Sequence, residues 1–110
     1  MRPQTAMELW TLFTEIFPDF SSYCEVEEIE PDTTLHFVMM DFTNYFGSYC
    51  DKFSESQLRK VGNFINDAVA VDDKLENAVS TCLLEHLRQI RSYKILAPFL
   101  SRRAKDKTHA

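Results

Sequence analysis

Glycine, proline and long apolar runs are scarce in this chain, and each scarcity excludes a class of protein. Only 2 of its 110 residues are glycine and 4 are proline, too few for the closely spaced turns of an all-β sandwich or barrel. The apolar runs fall short of the roughly 18 residues that a transmembrane helix needs. The first residues do not fit a signal peptide either, because an acidic residue interrupts them and no small-residue cleavage site follows.

Cysteine is present but forms no recognisable framework. The 3 cysteines, Cys24, Cys50 and Cys82, lie far apart, and an odd number cannot complete a set of disulfides. We therefore expect reduced, mostly buried thiols in a cytoplasmic protein that binds no membrane. The composition, 45% hydrophobic and 26% charged, is that of a folded protein, and the length indicates one domain over residues 1–110.

Capping signals and a periodicity of three to four residues predict helices along most of the chain. Capping boxes at residues 5–8 and 54–57 predict two helix starts. Asp32 or Thr33 is predicted to cap another helix, whose apolar periodicity continues to about Cys50. No segment shows a convincing strand pattern. The sequence therefore predicts an all-α fold, a single-domain bundle or array of five to six helices.

Toward the C-terminus the helix signals become weaker and the residues more basic. Asp72 or Asp73 is predicted to cap one helix, and a last helix is predicted to begin near Ser92. Pro98 must kink or divide that last helix, because it lacks the backbone donor that a helix interior needs. Residues 101–110, SRRAKDKTHA, are predicted to be a flexible basic tail.

Signatures of catalysis are missing from the sequence. The two glycines stand singly within helical patterns, so there is no phosphate-binding loop, and neither an HExxH motif nor a nucleophile elbow occurs. His36 and His86 would serve as metal ligands only if the fold brought them together with an acid or a thiol. We therefore predict a protein that is not an enzyme, with no catalytic residues, no metal site and no cofactor.

The net charge of −5 is distributed unevenly. Residues 1–34 carry eight acidic residues and one basic residue, whereas residues 74–110 carry three acidic and eight basic residues. The densest part is the acidic segment, defined as residues 24–34, whose carboxylates belong to Glu25, Glu27, Glu28, Glu30 and Asp32. This segment is either a solvated connection or a surface that steers a basic partner toward the protein. Asp72 and Asp73 form a weaker second patch, unless they serve as helix caps.

The basic C-terminal third supports an alternative function. It contains seven clustered cationic residues, namely Arg88, Arg91, Lys94, Arg102, Arg103, Lys105 and Lys107. A helical nucleic-acid-binding or regulatory protein would use such residues to contact phosphates. The isoelectric point of about 5.1 and the acidic first third oppose direct binding to a polyanion.

Three stretches resemble a family of small, acidic, helical bacterial proteins, some of which act as immunity proteins beside polymorphic toxins. They are LFTEIFPDF at residues 12–20, TTLHFVMMDFTNYF at residues 33–46 and KLENAVSTCLLEHLRQ at residues 74–89. The last is the most specific, because an Asn-Ala pair at residues 77–78 precedes a Leu-Glu pair at residues 84–85. The similarity covers residues 7–100.

This resemblance implies an inhibitor such as those of contact-dependent growth inhibition systems. Its partner would be a cognate toxin domain, a basic nuclease, and we expect a monomer that forms a 1:1 complex and occludes the active-site region. Such an inhibitor needs no catalytic residue of its own. The family pattern does not specify the interface, so charge density alone predicts the partner-binding residues: Glu25, Glu27, Glu28, Glu30 and Asp32, and more weakly Asp72 and Asp73.

Overall fold

The computed structural model describes residues 2–87 and 92–108, which form helices joined by short turns. The α-helices are α1 (Ala6–Ile16), α2 (Phe20–Tyr23), α3 (Leu35–Tyr49), α4 (Glu55–Ala68), α5 (Lys74–Val79), α6 (Glu85–Leu87), α7 (Ser92–Leu96) and α8 (Arg102–Asp106). No β-strand occurs in these two ranges, and none of their helices is long and apolar enough to cross a membrane. The predicted all-α, single-domain fold is confirmed.

The N-termini of α1 and α4 are capped by local hydrogen bonds, as the sequence predicts. The Thr5 hydroxyl accepts a hydrogen bond from the Glu8 N–H at 3.2 Å, and the Glu8 carboxylate accepts one from the Thr5 N–H at 3.1 Å. Ser54 and Gln57 form the same reciprocal pair at 3.1 and 2.9 Å. Both capping boxes satisfy backbone donors that the first helical turn would otherwise leave unpaired.

The start of α3 lies later than predicted. The predicted caps, Asp32 and Thr33, are both wrong. The N-cap is Thr34, whose hydroxyl accepts a hydrogen bond from the Phe37 N–H at 3.2 Å. The Thr33 hydroxyl is occupied in the preceding turn, where it accepts a hydrogen bond from the Glu30 N–H at 2.9 Å. Because that turn uses Thr33, the cap moves to the next hydroxyl along the chain.

The aromatic core is built where α3 packs against α1 and α2. Phe42 of α3 is fully buried and stacks on Phe13 of α1, with ring centroids 4.0 Å apart and planes inclined by 5°. Phe20 of α2 meets these two rings edge-on, at 5.7 and 5.9 Å. This cluster holds α2 against α3, and it thereby positions the acidic segment that connects them.

The helix that begins after Asp73 is not regular. α5 continues through a π-helical segment, Ser80–Leu84, into α6. The Cys82 carbonyl in this segment accepts a hydrogen bond from the buried hydroxyl of Thr43 on α3, at 2.7 Å. A side chain from a neighbouring helix that bonds to helix backbone is a recognised accompaniment of such irregular turns.

Pro98 divides the last helix, as the sequence predicts. α7 ends at Leu96, and a short 3₁₀ turn, Ala97–Phe99, contains the proline. This turn packs against α4 beside Gly62. The chain is thereby directed back across the molecule.

The predicted flexible tail is wrong for residues 101–108. Ser101 caps α8, and its N–H donates a hydrogen bond to the Asn66 side-chain oxygen on α4 at 2.7 Å. Ala104 and Thr108 are fully buried. These contacts join residues far apart in the chain, so the local pattern of basic residues could not indicate them. Residues 109–110 of the predicted tail lie outside the described ranges.

Candidate functional site

The acidic segment forms an exposed ridge between α2 and α3. It contains a 3₁₀ turn, Val26–Glu28, and all five of its carboxylate side chains are exposed. No lysine or arginine in residues 2–87 and 92–108 forms an ion pair with any of the five. Within these two ranges, solvent and ions rather than basic side chains therefore balance their charges.

The ridge is anchored to the fold. The Trp10 indole N–H of α1 donates a hydrogen bond to the Cys24 carbonyl at 2.6 Å, and Ile29 is buried in the core. The Glu28 carboxylate accepts a hydrogen bond from the Glu25 N–H at 3.2 Å, which closes the 3₁₀ turn. The carboxylates therefore project from a defined backbone, as a preorganised binding surface requires.

Exposed apolar side chains occur in the 3₁₀ turn and on α3, which also carries Asp41. Phe37 and Met40 of α3 are 42% and 38% exposed, and Val26 of the 3₁₀ turn is 41% exposed. Asp41 lies one helical turn from Phe37, and its carboxylate is within 4.8 Å of that of Glu28. Exposed apolar groups rimmed by charge are typical of protein–protein interfaces.

The two histidines do not form a metal site together. His36 lines an open cleft of about 790 Å³ beside the acidic segment, and its Nε2 is 3.3 Å from Nδ2 of Asn77. His86 lies on α6 and is not among the residues that line this cleft. In the part of the chain that the structure describes, the only group of three possible metal ligands contains neither histidine.

Comparison with known proteins places the chain in a family. A family model described as a domain of unknown function, DUF7674, matches residues 10–107. The chain belongs to this family. The DUF7674 match contains the whole acidic segment and the exposed face of α3. No curated protein and no solved structure matches the chain.

The second acidic patch of this DUF7674 protein is engaged within the chain. Asp73 caps α5 by accepting a hydrogen bond from the Glu76 N–H at 2.9 Å, as the alternative interpretation predicts. Its carboxylate also accepts two hydrogen bonds from the Arg2 guanidinium, both at 2.7 Å. Asp72 lies 3.8 Å from Arg103. Partner binding by Asp72 and Asp73 stays a prediction, but both carboxylates already face cations.

Asp73 makes the stability of the protein depend on pH. The hydrogen bonds from Arg2, followed by that from the Glu76 backbone, lower the pKa of Asp73 from 3.8 to about 2. A lowered folded-state pKa contributes stability that is complete above about pH 4 and is lost as the pH falls toward 2. Because the Asp73 side chain is 32% exposed, solvent screening reduces this contribution to about 1 kcal/mol.

We therefore expect Asp73→Asn to lower the free energy of unfolding by about 1 kcal/mol at pH 7, with the difference shrinking to near zero by about pH 2. Asparagine caps helices as well as aspartate does, so the substitution keeps the cap and removes the charge together with part of the pairing with Arg2. Urea denaturation at several pH values measures this difference. A difference that stayed constant from pH 7 to pH 2 would contradict the electrostatic explanation.

The basic C-terminal third is partly neutralised by acidic residues. Lys107 lies 3.0 Å from Glu76, and Arg103 lies near Asp72 as described above. Arg102 and Lys105 are exposed on α8. Two of the predicted phosphate-contacting residues, Arg88 and Arg91, lie outside the described ranges. Some of the described basic residues of this third therefore form ion pairs with carboxylates. In contrast, no described lysine or arginine forms an ion pair with the acidic segment.

The contribution of α3 to this surface is not evident from the amino-acid sequence. Phe37, Met40 and Asp41 lie in a strongly apolar periodic run, in which a buried helix face is the simplest interpretation. Their exposure depends on which face of α3 the aromatic core covers. The one available signal was that Phe37 and Met40 fall between the core positions Val38, Met39 and Phe42 rather than in register with them.

Proposed function

We propose that this DUF7674 protein is an immunity protein, a cytoplasmic and non-enzymatic inhibitor that binds a cognate toxin domain through the acidic segment. One observation carries the proposal. Five exposed carboxylates stand together on an anchored turn, and none has a cationic partner among residues 2–87 and 92–108. The partner that fits this surface is basic, and nucleases are a toxin class whose active sites carry basic residues.

The charges are sufficient for tight binding to such a partner. Nucleases bind the phosphate backbone with basic residues, so an acidic ridge can take the electrostatic place of the substrate. Opposite charges about 4 Å apart attract by about 4 kcal/mol at a partly desolvated surface, against about 1 kcal/mol in water. Close pairs across tight interfaces couple by about 1.5–7 kcal/mol. A few such pairs within a contact of about 800 Å² per partner are consistent with nanomolar affinity.

The apolar residues beside the ridge complete the surface. Charged pairs at an exposed rim contribute little, because solvent screens them. Phe37, Met40 and Val26 would exclude water from neighbouring pairs once a partner covers them. This mode of inhibition requires no reacting group on the inhibitor, in agreement with the resemblance to immunity proteins.

The test would use a toxin domain encoded next to this protein's gene. Co-expression with the native protein should let cells survive, and the two proteins should purify as a 1:1 complex. The triple variant Glu25→Lys, Glu27→Lys, Glu30→Lys should lose protection, with affinity reduced by at least about 1,000-fold in isothermal titration calorimetry. It leaves Glu28 unchanged, so the 3₁₀ turn keeps its closing hydrogen bond.

A matched control changes the same net charge elsewhere. The residues for this control are exposed acids outside the acidic segment, namely Glu15, Glu55 and Glu85, each replaced by lysine. This variant should protect cells as the native protein does. Equal loss in both variants would show a general charge effect rather than a docking surface. Failure of the native protein to protect or to form a complex would overturn the proposal.

A further inference from the structure

Three potential metal ligands from separate elements converge at the acidic segment. They are the Cys24 thiol, which follows α2, a Glu28 carboxylate oxygen in the 3₁₀ turn, and an Asp41 carboxylate oxygen on α3. All three ligand atoms lie within 4.8 Å of one another. Cys24 is fully buried, Asp41 is half-buried and Glu28 is exposed. A buried thiol therefore lies at the base of the cluster, and an exposed carboxylate lies at its mouth.

The fold holds the backbone of this cluster in place. The Cys24 N–H donates a hydrogen bond to the Phe20 carbonyl at 2.8 Å, and its own carbonyl accepts one from the Trp10 indole at 2.6 Å. The Glu28 carboxylate is oriented by the Glu25 N–H. The thiol and both carboxylates are therefore brought together by the tertiary structure before any ligand binds, which lowers the cost of binding one.

Both carboxylates lie close to the buried Cys24 sulfur, and the neutral thiol forms a hydrogen bond with Asp41. Among the described lysines and arginines, none forms an ion pair with either carboxylate. Within the described ranges, the cluster thus places two carboxylates beside a buried sulfur with no basic side chain paired to them.

We propose that Cys24, Glu28 and Asp41 bind a thiophilic divalent cation of the Zn²⁺ class, with water as the fourth ligand. Zn²⁺ accepts thiolate and carboxylate ligands in four-coordinate sites, whereas Ca²⁺ and Mg²⁺ bind more numerous oxygen ligands and no thiol. On binding, the thiol proton leaves to solvent and the sulfur coordinates as thiolate. Ligand atoms of a tetrahedral Zn²⁺ site lie roughly 3.5 Å apart, and those of the cluster lie within 4.8 Å of one another. Closure by no more than about 1.3 Å is therefore needed, which the exposed Glu28 side chain can accommodate.

The site shares Glu28 with the proposed toxin-binding surface, but its test needs no toxin and uses the purified full chain alone. After treatment with a chelator, the protein is titrated with Co²⁺, and absorption is recorded in the near ultraviolet. We expect one Co²⁺ per chain, a thiolate-to-cobalt charge-transfer band, and loss of that band when Zn²⁺ is added. Cys24→Ser should abolish the band. Glu28→Gln should weaken Co²⁺ binding by at least about 10-fold, as should Asp41→Asn.

Two control variants distinguish this site from other binding. Cys82→Ser removes another buried thiol, which forms no such cluster with the other described residues, and Glu27→Gln removes an adjacent exposed carboxylate. Both should bind Co²⁺ as the native protein does. Because Glu28 is exposed, Glu28→Gln should fold even if Cys24→Ser does not, and circular dichroism checks this. Absence of a stoichiometric charge-transfer band, or unchanged affinity in both carboxylate variants, would overturn the proposal.

Discussion

Replacement of Phe42 by alanine is expected to lower the free energy of unfolding by about 3–5 kcal/mol. The Phe42 ring is fully buried, stacks on Phe13 at 4.0 Å and contacts Phe17 and Phe20 at 5.5 and 5.7 Å. Its removal leaves a cavity between Phe13 of α1 and Phe20 of α2. Both rings are held by their own helices, so we expect the cavity to remain largely unfilled. A domain of this size has a total stability of about 5–15 kcal/mol, so the variant should lose about a fifth or more of it.

Phe37 provides the control for this prediction. It carries the same side chain on the same helix, but it is 42% exposed. Phe37→Ala should change the free energy of unfolding by no more than about 1 kcal/mol, since surface substitutions away from special features have small effects. Urea denaturation followed by circular dichroism measures both variants. Equal destabilisation by the two substitutions would show that the core is not centred on Phe42.

Gly62→Ala is expected to destabilise the protein by about 1–3 kcal/mol, although helix propensity alone predicts the opposite sign. Gly62 lies in the interior of α4, where alanine is intrinsically better by about 1 kcal/mol. An added Cβ would lie 2.7 Å from the Phe99 Cβ and 2.8 Å from the Phe99 carbonyl oxygen. Because one of these atoms is backbone, no side-chain rotation can relieve the contact. The turn must move away from α4, with the usual cost of overpacking.

Substitution of the neighbouring Asn63 is the control that distinguishes the effect of helix propensity from that of packing. Asn63 is exposed in the same helix, so Asn63→Ala should leave stability unchanged or raise it by about 0.5 kcal/mol. The midpoint of urea denaturation measures both variants. In Gly62→Ala, hydrogen exchange should also be faster in residues 97–108, because the displaced turn leads into α8. A Gly62→Ala protein more stable than the native one would contradict the close packing of α4 on this turn.

Local interactions explain why much of the helical structure could be predicted. The capping boxes of α1 and α4 join residues three positions apart, so the residue types alone indicate them. The apolar spacing of α3 likewise predicts its length, because helical periodicity is a property of the sequence. Pro98 ends a helix wherever it occurs in one, since its missing donor is covalent.

Predictions were less successful where they depended on contacts between elements or on a choice between adjacent residues of the same type. Thr33 and Thr34 are equally good caps by type, and only the turn at Glu30 decides between them. The acidic segment could be identified from its composition, whereas its anchoring by Trp10 could not. The exposure of the Phe37 and Met40 side chains depends on which face of α3 packs against α1 and α2.

The sequence by itself determined an all-α fold, its principal helices and the dense acidic segment, because each of these depends on residues close together in the chain. Only the tertiary structure decided that residues 101–108 pack as α8, that Thr43 bonds to the π-helical segment, and that Cys24, Glu28 and Asp41 converge. The physical reason is the same in each case. These arrangements join residues that lie on separate elements, and contacts between elements follow from the packing of the whole core rather than from local residue pattern.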